Sequence, residues 1–104
     1  MPQRGRVYVA PLDQVGDKLW LCVSNNTRNS RLDEFIAVRL TTTRKPVMPS
    51  IVPLSAADQP LVGSVVCDDV GPIYLDQVTR DAGALSAVTL RRVDTALKYV
   101  LSLP

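Results

Sequence analysis

Residues 18–43 read KLWLCVSNNTRNSRLDEFIAVRLTTT, which is two strand-like runs separated by a loop rich in Asn, Arg and Ser. The runs extend from Lys18 to Ser24 and from Phe35 to Thr41. Side chains alternate between the two faces of a strand, so each run has one wholly apolar face. The apolar positions are Leu19, Leu21 and Val23 in the first run and Ile36, Val38 and Leu40 in the second. This pattern predicts a strand pair with its core on that face.

The other face of the same two runs mixes cations and hydroxyls with apolar residues. It carries Lys18, Trp20, Cys22 and Ser24 in the first run and Phe35, Ala37, Arg39 and Thr41 in the second. We expect this face to point away from the core. Two positive groups and two hydroxyls displayed there would suit the negative charge of a phosphodiester.

Composition indicates one small folded domain spanning residues 1–104. Of the 104 residues, 46% are hydrophobic and 21% are charged, as in an ordinary globular protein. The net charge is only +2, so any nucleic-acid-binding surface is expected to be local. Neither a signal sequence nor a membrane-spanning stretch is recognisable, and we therefore expect a cytoplasmic protein without membrane contacts.

Residue types exclude several kinds of catalytic site. The sequence contains no histidine, which removes Ser–His and Cys–His triads, two-histidine nuclease chemistry and nearly all zinc catalysis. Cys22 and Cys67 lie in apolar runs without metal-binding spacing, and we expect them to be reduced, buried and inert. Any catalysis must use other groups, and no pattern in the sequence indicates a cofactor.

Short strands and turns are predicted on the N-terminal side of this pair. Residues 7–10 are strand-like and are stopped by Pro11, and the turn at 12–17 leads into the strand that begins at Lys18. These strands should form a first antiparallel pair. Residues 25–31 are predicted to form a loop rather than a helix, because Asn and Ser side chains compete for backbone hydrogen bonds.

After the second run, the chain is predicted to become irregular and then to add another strand. Prolines leave residues 46–53 as an edge strand or an irregular arm, and residues 55–59 are expected to hold one helical turn. Residues 63–67 are apolar and β-branched, as in a buried strand. This strand is predicted to end at Asp68 and Asp69, before a Gly-Pro break.

One amphipathic helix is predicted near the C-terminal end of the sequence. Ser86 is a suitable N-cap, and Asp94 and Lys98 have the i, i+4 spacing of an ion pair. Apolar residues recur at helical spacing: Leu90, Val93, Ala96, Leu97, Val100 and Leu101. Five or so short strands followed by this helix predict a mostly β fold, a small antiparallel barrel with the helix packed against it.

Several short motifs occur in a fixed order along the chain. They are an opening RG-V-Y strand, a cation before an apolar VS strand, an NN-x-x-N loop, a strand ending in TTT, and VD-x-AL in the C-terminal helix. This order resembles the MazF/PemK family of toxin endoribonucleases over almost the whole chain. The resemblance implies an SH3-like barrel that forms a homodimer and cuts single-stranded RNA at short sequences without a metal. It also implies a cognate antitoxin that is acidic and partly disordered.

The resemblance further implies which residues cleave RNA. In that family the cation that opens the second strand and the Thr that closes the third carry the reaction, and these match Lys18 and Thr41. We expect Lys18 to stabilise charge and to be a candidate proton donor, and Thr41 to donate a hydrogen bond to a non-bridging oxygen. The expected substrate-binding residues are Ser24, Asn25, Asn26, Arg28, Arg39, Thr42, Arg44 and, with one residue of alignment freedom, Asp68 or Asp69.

Two departures from the family keep other functions open. Lys18 and Leu19 stand where relatives usually have Arg and Pro, and the turn at 12–17 lacks the longer loop that covers many active sites. One alternative is a toxin resembling CcdB that binds DNA gyrase, although the chain ends in VLSLP rather than in Trp-Gly-Ile. The other is an inactive SH3-like binding module. Trp20 is expected to be a core or dimer anchor rather than a base-stacking residue.

Overall fold

A computed structural model, which describes residues 2–104, confirms the mostly β architecture with a C-terminal helix. Six strands form one antiparallel sheet: β1 (Arg6–Pro11), β2 (Asp17–Cys22), β3 (Glu34–Thr41), β4 (Ile51–Pro53), β5 (Ser64–Tyr74) and β6 (Arg80–Ala84). Their order is β4-β5-β3-β2-β1-β6, so β4 and β6 form the edges. The helices are α1 (Asn26–Asn29) and α2 (Ala87–Leu101), with 3₁₀ turns at Asp13–Val15, Ala56–Asp58 and Leu75–Gln77. No helix within the described part of the chain has the length and apolar character needed to span a bilayer.

The central pair of the sheet has an antiparallel register that buries the predicted apolar face. Leu19 lies opposite Leu40, and Leu21 lies opposite Val38. This face packs beneath helix α2 in a first core cluster. The buried members of that cluster are Val7, Leu21, Val38, Leu40, Val52, Val65, Cys67, Leu85, Val93 and Ala96.

The opposite face of the central pair is not the open polar surface that the sequence predicts. It contains a second core cluster, formed by Tyr8, Ala10, Trp20, Cys22, Phe35, Ala37 and Ile73. The rings of Tyr8 and Phe35 lie 5.3 Å apart, and the Trp20 indole N–H donates to the Ala10 carbonyl at 3.2 Å. Because Leu12 and Val78 from neighbouring loops cover this face, its polar residues are confined to the two ends of the strand pair. Trp20 is therefore a core residue, as expected.

The Asn-rich segment after β2 forms the helical turn α1, and the prediction of a loop is wrong. The Asn25 side chain caps this turn by accepting a hydrogen bond from the Arg28 backbone N–H at 2.8 Å. Asn and Ser side chains disfavour a helix interior but stabilise its first turn. The composition of the segment does not show which of these two effects prevails. Buried Ser24 hydrogen-bonds Asn29 at 2.5 Å and accepts from the Ile36 N–H at 3.0 Å.

Strand β5 continues through the acidic pair at which the sequence predicts its end. The adjacent residues Val38 and Arg39 pair with Val70 and Val66, respectively. Residues 67–69 therefore form a β-bulge and have no partners in β3. A bulge bends a strand without ending it. Beyond this bulge β5 pairs with β3 alone, and an edge segment of this kind tolerates the Gly-Pro pair that follows.

Helix α2 begins at the predicted cap, since the Ser86 hydroxyl accepts from the Thr89 N–H at 3.2 Å. Its predicted stripe packs on the first core cluster except at the end, where Leu101 is 54% exposed because the helix stops there. Asp94 pairs with Arg4 rather than with Lys98. This contact ties the helix to the N-terminal segment, which local spacing within the helix cannot reveal.

A buried carboxylate fixes the start of α2. Asp58, in the predicted helical turn at 55–59, is 1% exposed. It accepts hydrogen bonds from the Ser86 backbone N–H at 2.7 Å, the Thr89 hydroxyl at 2.6 Å and the Ser55 N–H at 2.8 Å. Burial alone would raise the pKa of Asp58, but these hydrogen bonds outweigh burial and hold the pKa well below its ordinary value.

We expect Asp58→Ala to lower the free energy of unfolding by about 2–4 kcal/mol at neutral pH, because buried donors lose their acceptor. The pKa of Asp58 is lower in the folded state than in the unfolded state. The carboxylate therefore stabilises the fold fully above about pH 4, and less as the pH falls towards the pKa of the folded state. Urea unfolding at about pH 7 and pH 3 measures both effects, with exposed Asp33→Ala as the control. A stability difference that does not shrink in acid would contradict this expectation.

Candidate active site

The ends of β2 and β3 and the start of β6 border a groove of about 590 Å³. The register that sets Leu19 opposite Leu40 brings Lys18 and Thr41, the next residues outward, to neighbouring positions at this end of the sheet. The groove is lined by Val9, Asp17, Lys18, Leu19, Arg39, Leu40, Thr41, Thr42, Thr43, Thr79 and Arg80. The structure thus brings together Lys18, Thr41, Thr42 and Arg39 from the sequence-predicted set.

The groove is electropositive, with three cations, Lys18, Arg39 and Arg80, against one carboxylate, Asp17. Among residues 2–104, no ion pair engages Lys18 or Arg80. The Arg39 guanidinium lies 3.9 Å from the Asp69 carboxylate, beyond hydrogen-bond distance, and its Nε is buried without a partner in that part of the chain. Lys18 and Arg80, which form no ion pair within residues 2–104, suit the phosphates of a nucleic acid.

The Thr41 hydroxyl, which lines the groove, has a proton that no hydrogen bond within residues 2–104 uses. Its Oγ1 accepts a hydrogen bond from the Thr43 backbone N–H at 3.1 Å. A hydroxyl has one proton to donate, and this contact uses only an acceptor site. The Thr41 proton therefore remains available to an oxygen atom of a bound ligand.

Gly63, which the sequence analysis missed, holds the backbone of Thr41 in place. Its φ is +114°, and a Cβ built on it would lie only 2.1 Å from the Thr41 carbonyl oxygen. Glycine alone permits both the conformation and the close approach. The available signal was an isolated glycine before an apolar strand, which indicates a close backbone contact but not its partner.

Four other predicted residues lie at the far end of the β2–β3 pair. Ser24 and Asn25 hold the α1 turn through the hydrogen bonds already described. The Asn26 side chain accepts from the Arg4 N–H at 2.7 Å, and Arg28 forms an ion pair with Glu34. The structure therefore does not bring these residues to the groove, and their RNA-binding role stays a prediction.

The structure separates the two acidic candidates. Asp68 accepts a hydrogen bond from the Ser50 hydroxyl at 2.6 Å, whereas Asp69 faces Arg39. Asp69 also lines a second cavity, of about 430 Å³, which shares Arg39 with the groove. Arg44 is exposed beyond the end of β3 and is not part of either lining.

The groove also contains Arg80, the first residue of β6, and the preceding Thr79, which sequence reasoning did not consider. Strand β1 pairs with β2 and with β6, so that Val9 has Leu19 on one side and Arg80 on the other. Thr79 is attached to the same strand, because its hydroxyl and its N–H both donate to the Val9 carbonyl. A single Thr-Arg pair in the sequence carries no recognisable signal, and only the topology places it here.

Neither cysteine belongs to the groove. Cys22 and Cys67 are buried free thiols, as predicted. Burial raises the pKa of both, that of Cys67 to about 12. Within residues 2–104, no group of three or more His, Cys, Asp or Glu side chains is arranged to hold a metal ion.

The sequence and the structure both resemble proteins of known activity. Residues 3–101 match the model of the family described as PemK-like, MazF-like toxin of type II toxin-antitoxin system. The chain is 40% identical over 103 residues to endoribonuclease MazF4 of Mycobacterium tuberculosis and to endoribonuclease MazF1 of Mycobacterium bovis, covering 99% of this chain and 95% of each relative.

Solved structures of similar fold include proteins of the same kind as these relatives. A mycobacterial endoribonuclease in complex with its cognate antitoxin has a TM-score of 0.93 at 38% identity, covering 100% of this chain and 98% of that one. MazF from a MazE–MazF complex of Deinococcus radiodurans shares the fold, with a TM-score of 0.83 at 20% identity over 99% of this chain and 97% of that one.

We expect Gly63→Ala to destabilise the protein more than Gly16→Ala. Both glycines have positive φ, +114° and +102°, but only Gly63 approaches another backbone, since nothing lies within 4 Å of a Cβ at Gly16. Gly16→Ala should therefore cost about 1 kcal/mol of strain and Gly63→Ala at least about 2 kcal/mol more. Thermal unfolding compares the two variants. Equal losses would contradict the close contact with Thr41.

Proposed function

Because the chain belongs to the PemK-like, MazF-like toxin family of type II toxin-antitoxin systems, we propose that it is an endoribonuclease that cuts single-stranded RNA at short specific sequences. The observation that carries this proposal is the placement of Lys18 and Thr41 in one electropositive groove. The ammonium group there is unpaired among the described residues, and the hydroxyl has a free proton.

The reaction needs three contributions from the groove. The ribose 2′-oxygen attacks the adjacent phosphorus and the bond to the 5′ oxygen breaks, leaving a 2′,3′-cyclic phosphate and a 5′-hydroxyl. A base must accept the 2′ proton, an acid must protonate the 5′ oxygen, and the non-bridging oxygens need stabilisation as negative charge develops. We assign charge stabilisation and protonation of the leaving oxygen to Lys18. Thr41 donates a hydrogen bond to a non-bridging oxygen.

The other groove residues complete this scheme. Asp17 is the carboxylate in the lining and is our candidate for the proton acceptor. Arg80 would bind a neighbouring phosphate, Arg39 would add positive charge to the groove, and Thr42 would contact the same backbone. Because side chains supply both proton transfer and charge stabilisation, the scheme uses no metal and no cofactor.

The remaining sequence-predicted contacts require a longer substrate. Ser24 follows the end of β2 and lies about 20 Å along the extended chain from Lys18, at about 3.4 Å per residue. Asn25, Asn26 and Arg28 are near Ser24 and would contact only an RNA that extends over several nucleotides. Arg44 would meet such an RNA beyond the opposite end of β3.

The same groove explains how an antitoxin would inhibit the protein. An acidic, partly disordered segment that covered Lys18, Arg39 and Arg80 would neutralise their charge and exclude RNA. The complex of a close structural relative with its cognate antitoxin supports this assignment. We propose further that the protein is a homodimer and acts in the cytoplasm, where RNA and the antitoxin are available.

We expect Lys18→Ala to reduce the cleavage rate by about 100-fold or more, and Thr41→Val by about tenfold or more, because each removes stabilisation of the developing charge. The measurement is cleavage of a long single-stranded RNA in EDTA, with the cut ends mapped. Cuts should occur at one short sequence and leave cyclic phosphates. A 2′-deoxy nucleotide on the 5′ side of the cut should block cleavage there.

Lys98→Ala, which removes an exposed lysine from α2, is the matched control and should cut at the wild-type rate. Cleavage by Lys18→Ala at the wild-type rate would exclude Lys18 from the site. A folded protein that cuts no RNA would contradict the nuclease, and inhibition of DNA gyrase by that same protein would then identify a CcdB-like toxin.

A further inference from the structure

The second cavity, of about 430 Å³, adjoins the groove and differs from it in character. It has the size of a small-ligand site. Its apolar lining includes Pro11, Leu12 and Trp20, and its polar lining includes Asp13, Asp69 and Arg39. Arg39 also lines the groove, so a ligand in this cavity would be adjacent to whatever occupies the groove.

The balance of charge indicates which part of an RNA fits each site. The groove has three cations and one carboxylate, whereas the cavity has two carboxylates, Asp13 and Asp69, and one cation, Arg39. A phosphate would be attracted to the groove and repelled from the cavity. An uncharged base, with an apolar ring and a polar edge, suits the cavity.

Arg39 and Asp69 present a donor and an acceptor side by side, and neither satisfies the other. The nitrogen and oxygen are 3.9 Å apart, which is longer than a hydrogen bond. The Nε atom of Arg39 is buried with no partner among residues 2–104. Because the 3.9 Å separation leaves hydrogen-bonding capacity on both groups, a ligand that offered an acceptor to Arg39 and donors to Asp69 would be favoured.

We propose that this cavity binds a guanine base next to the phosphate that is cut. The Watson–Crick edge of guanine places one acceptor, O6, beside two donors, N1–H and N2–H. Uracil has a single donor between two acceptors, and adenine and cytosine each have an amino group beside a ring acceptor. Only guanine offers O6 to Arg39 and two donors to the Asp69 carboxylate. Single-stranded RNA is generally recognised through such edges and through contacts to the flat ring.

The inference rests on the proposed ribonuclease function and specifies part of its sequence preference. In the first test, each guanine of the mapped cut site is replaced by inosine, which lacks only the N2 amino group. We expect one replacement to lower kcat/KM about 10- to 100-fold for the wild-type protein. Asp69→Asn should cut the guanine and inosine RNAs at similar rates, because its amide cannot accept both donors. Asp33→Asn, an exposed carboxylate away from both sites, should keep the wild-type discrimination.

The second test does not depend on cleavage. Trp20 is the single tryptophan of the chain and lines the cavity, so its fluorescence reports occupancy. We expect guanosine monophosphate to change this fluorescence at lower concentrations than uridine monophosphate does. Asp69→Asn should abolish that difference, and Asp33→Asn should preserve it.

The outcomes separate this inference from the function on which it rests. A wild-type protein that cuts RNA but does not distinguish guanine from inosine, or whose cut site contains no guanine, overturns the guanine assignment and leaves the nuclease intact. A protein that cuts no RNA overturns the nuclease, and the Trp20 titration then decides the cavity alone. Equal responses to the two nucleotides would overturn the assignment in that case.

Discussion

The antiparallel register between β2 and β3, with Leu19 opposite Leu40, is the constraint on which the rest of the structure depends. Because successive side chains of a strand alternate between faces, a slip of one residue would move every side chain of that strand to the opposite face, where it does not fit. Apolar clusters on both faces of the sheet oppose such a slip. The same register sets Lys18 beside Thr41, so the packing of the core and the geometry of the groove are specified together.

A sheet that is buried on both faces leaves little surface for function except at its strand ends. The groove lies at one such end, and its side chains come from four strands, β1, β2, β3 and β6, that different contacts hold in place. Thr41 is fixed by its close contact with Gly63, and Lys18 is fixed by the pairing of β2 with its two neighbours. Arg39 stands between the groove and the second cavity and belongs to both.

Sequence patterns predicted those strands and helices whose structure depends mainly on residues within the same segment. Alternation of apolar residues identified the central strands, prolines indicated an edge strand or an irregular arm where β4 lies, and Ser86 identified the start of α2. Burial of the second face depends on Leu12 and Val78, which lie outside both strands, and no pattern within β2 or β3 indicates it. The continuation of β5 likewise depends on pairing with β3, which overrides local signals for a strand end at Asp68.

The candidate site was predictable to the extent that it follows from the β2–β3 pair. Sequence resemblance selected Lys18 and Thr41, and the register brings them to one groove, while their catalytic roles remain proposals. The contribution of Arg80 to the groove was not predictable, because the pairing of β1 with β6 joins residues far apart in the chain.

The bulge in β5 has an evolutionary consequence. Residues at positions 68 and 69 are exposed and unpaired with β3, while the pairs on either side keep their register. The Asp69 side chain, which faces Arg39, can therefore be exchanged as proteins with this sheet diverge, without loss of the β3–β5 pairing.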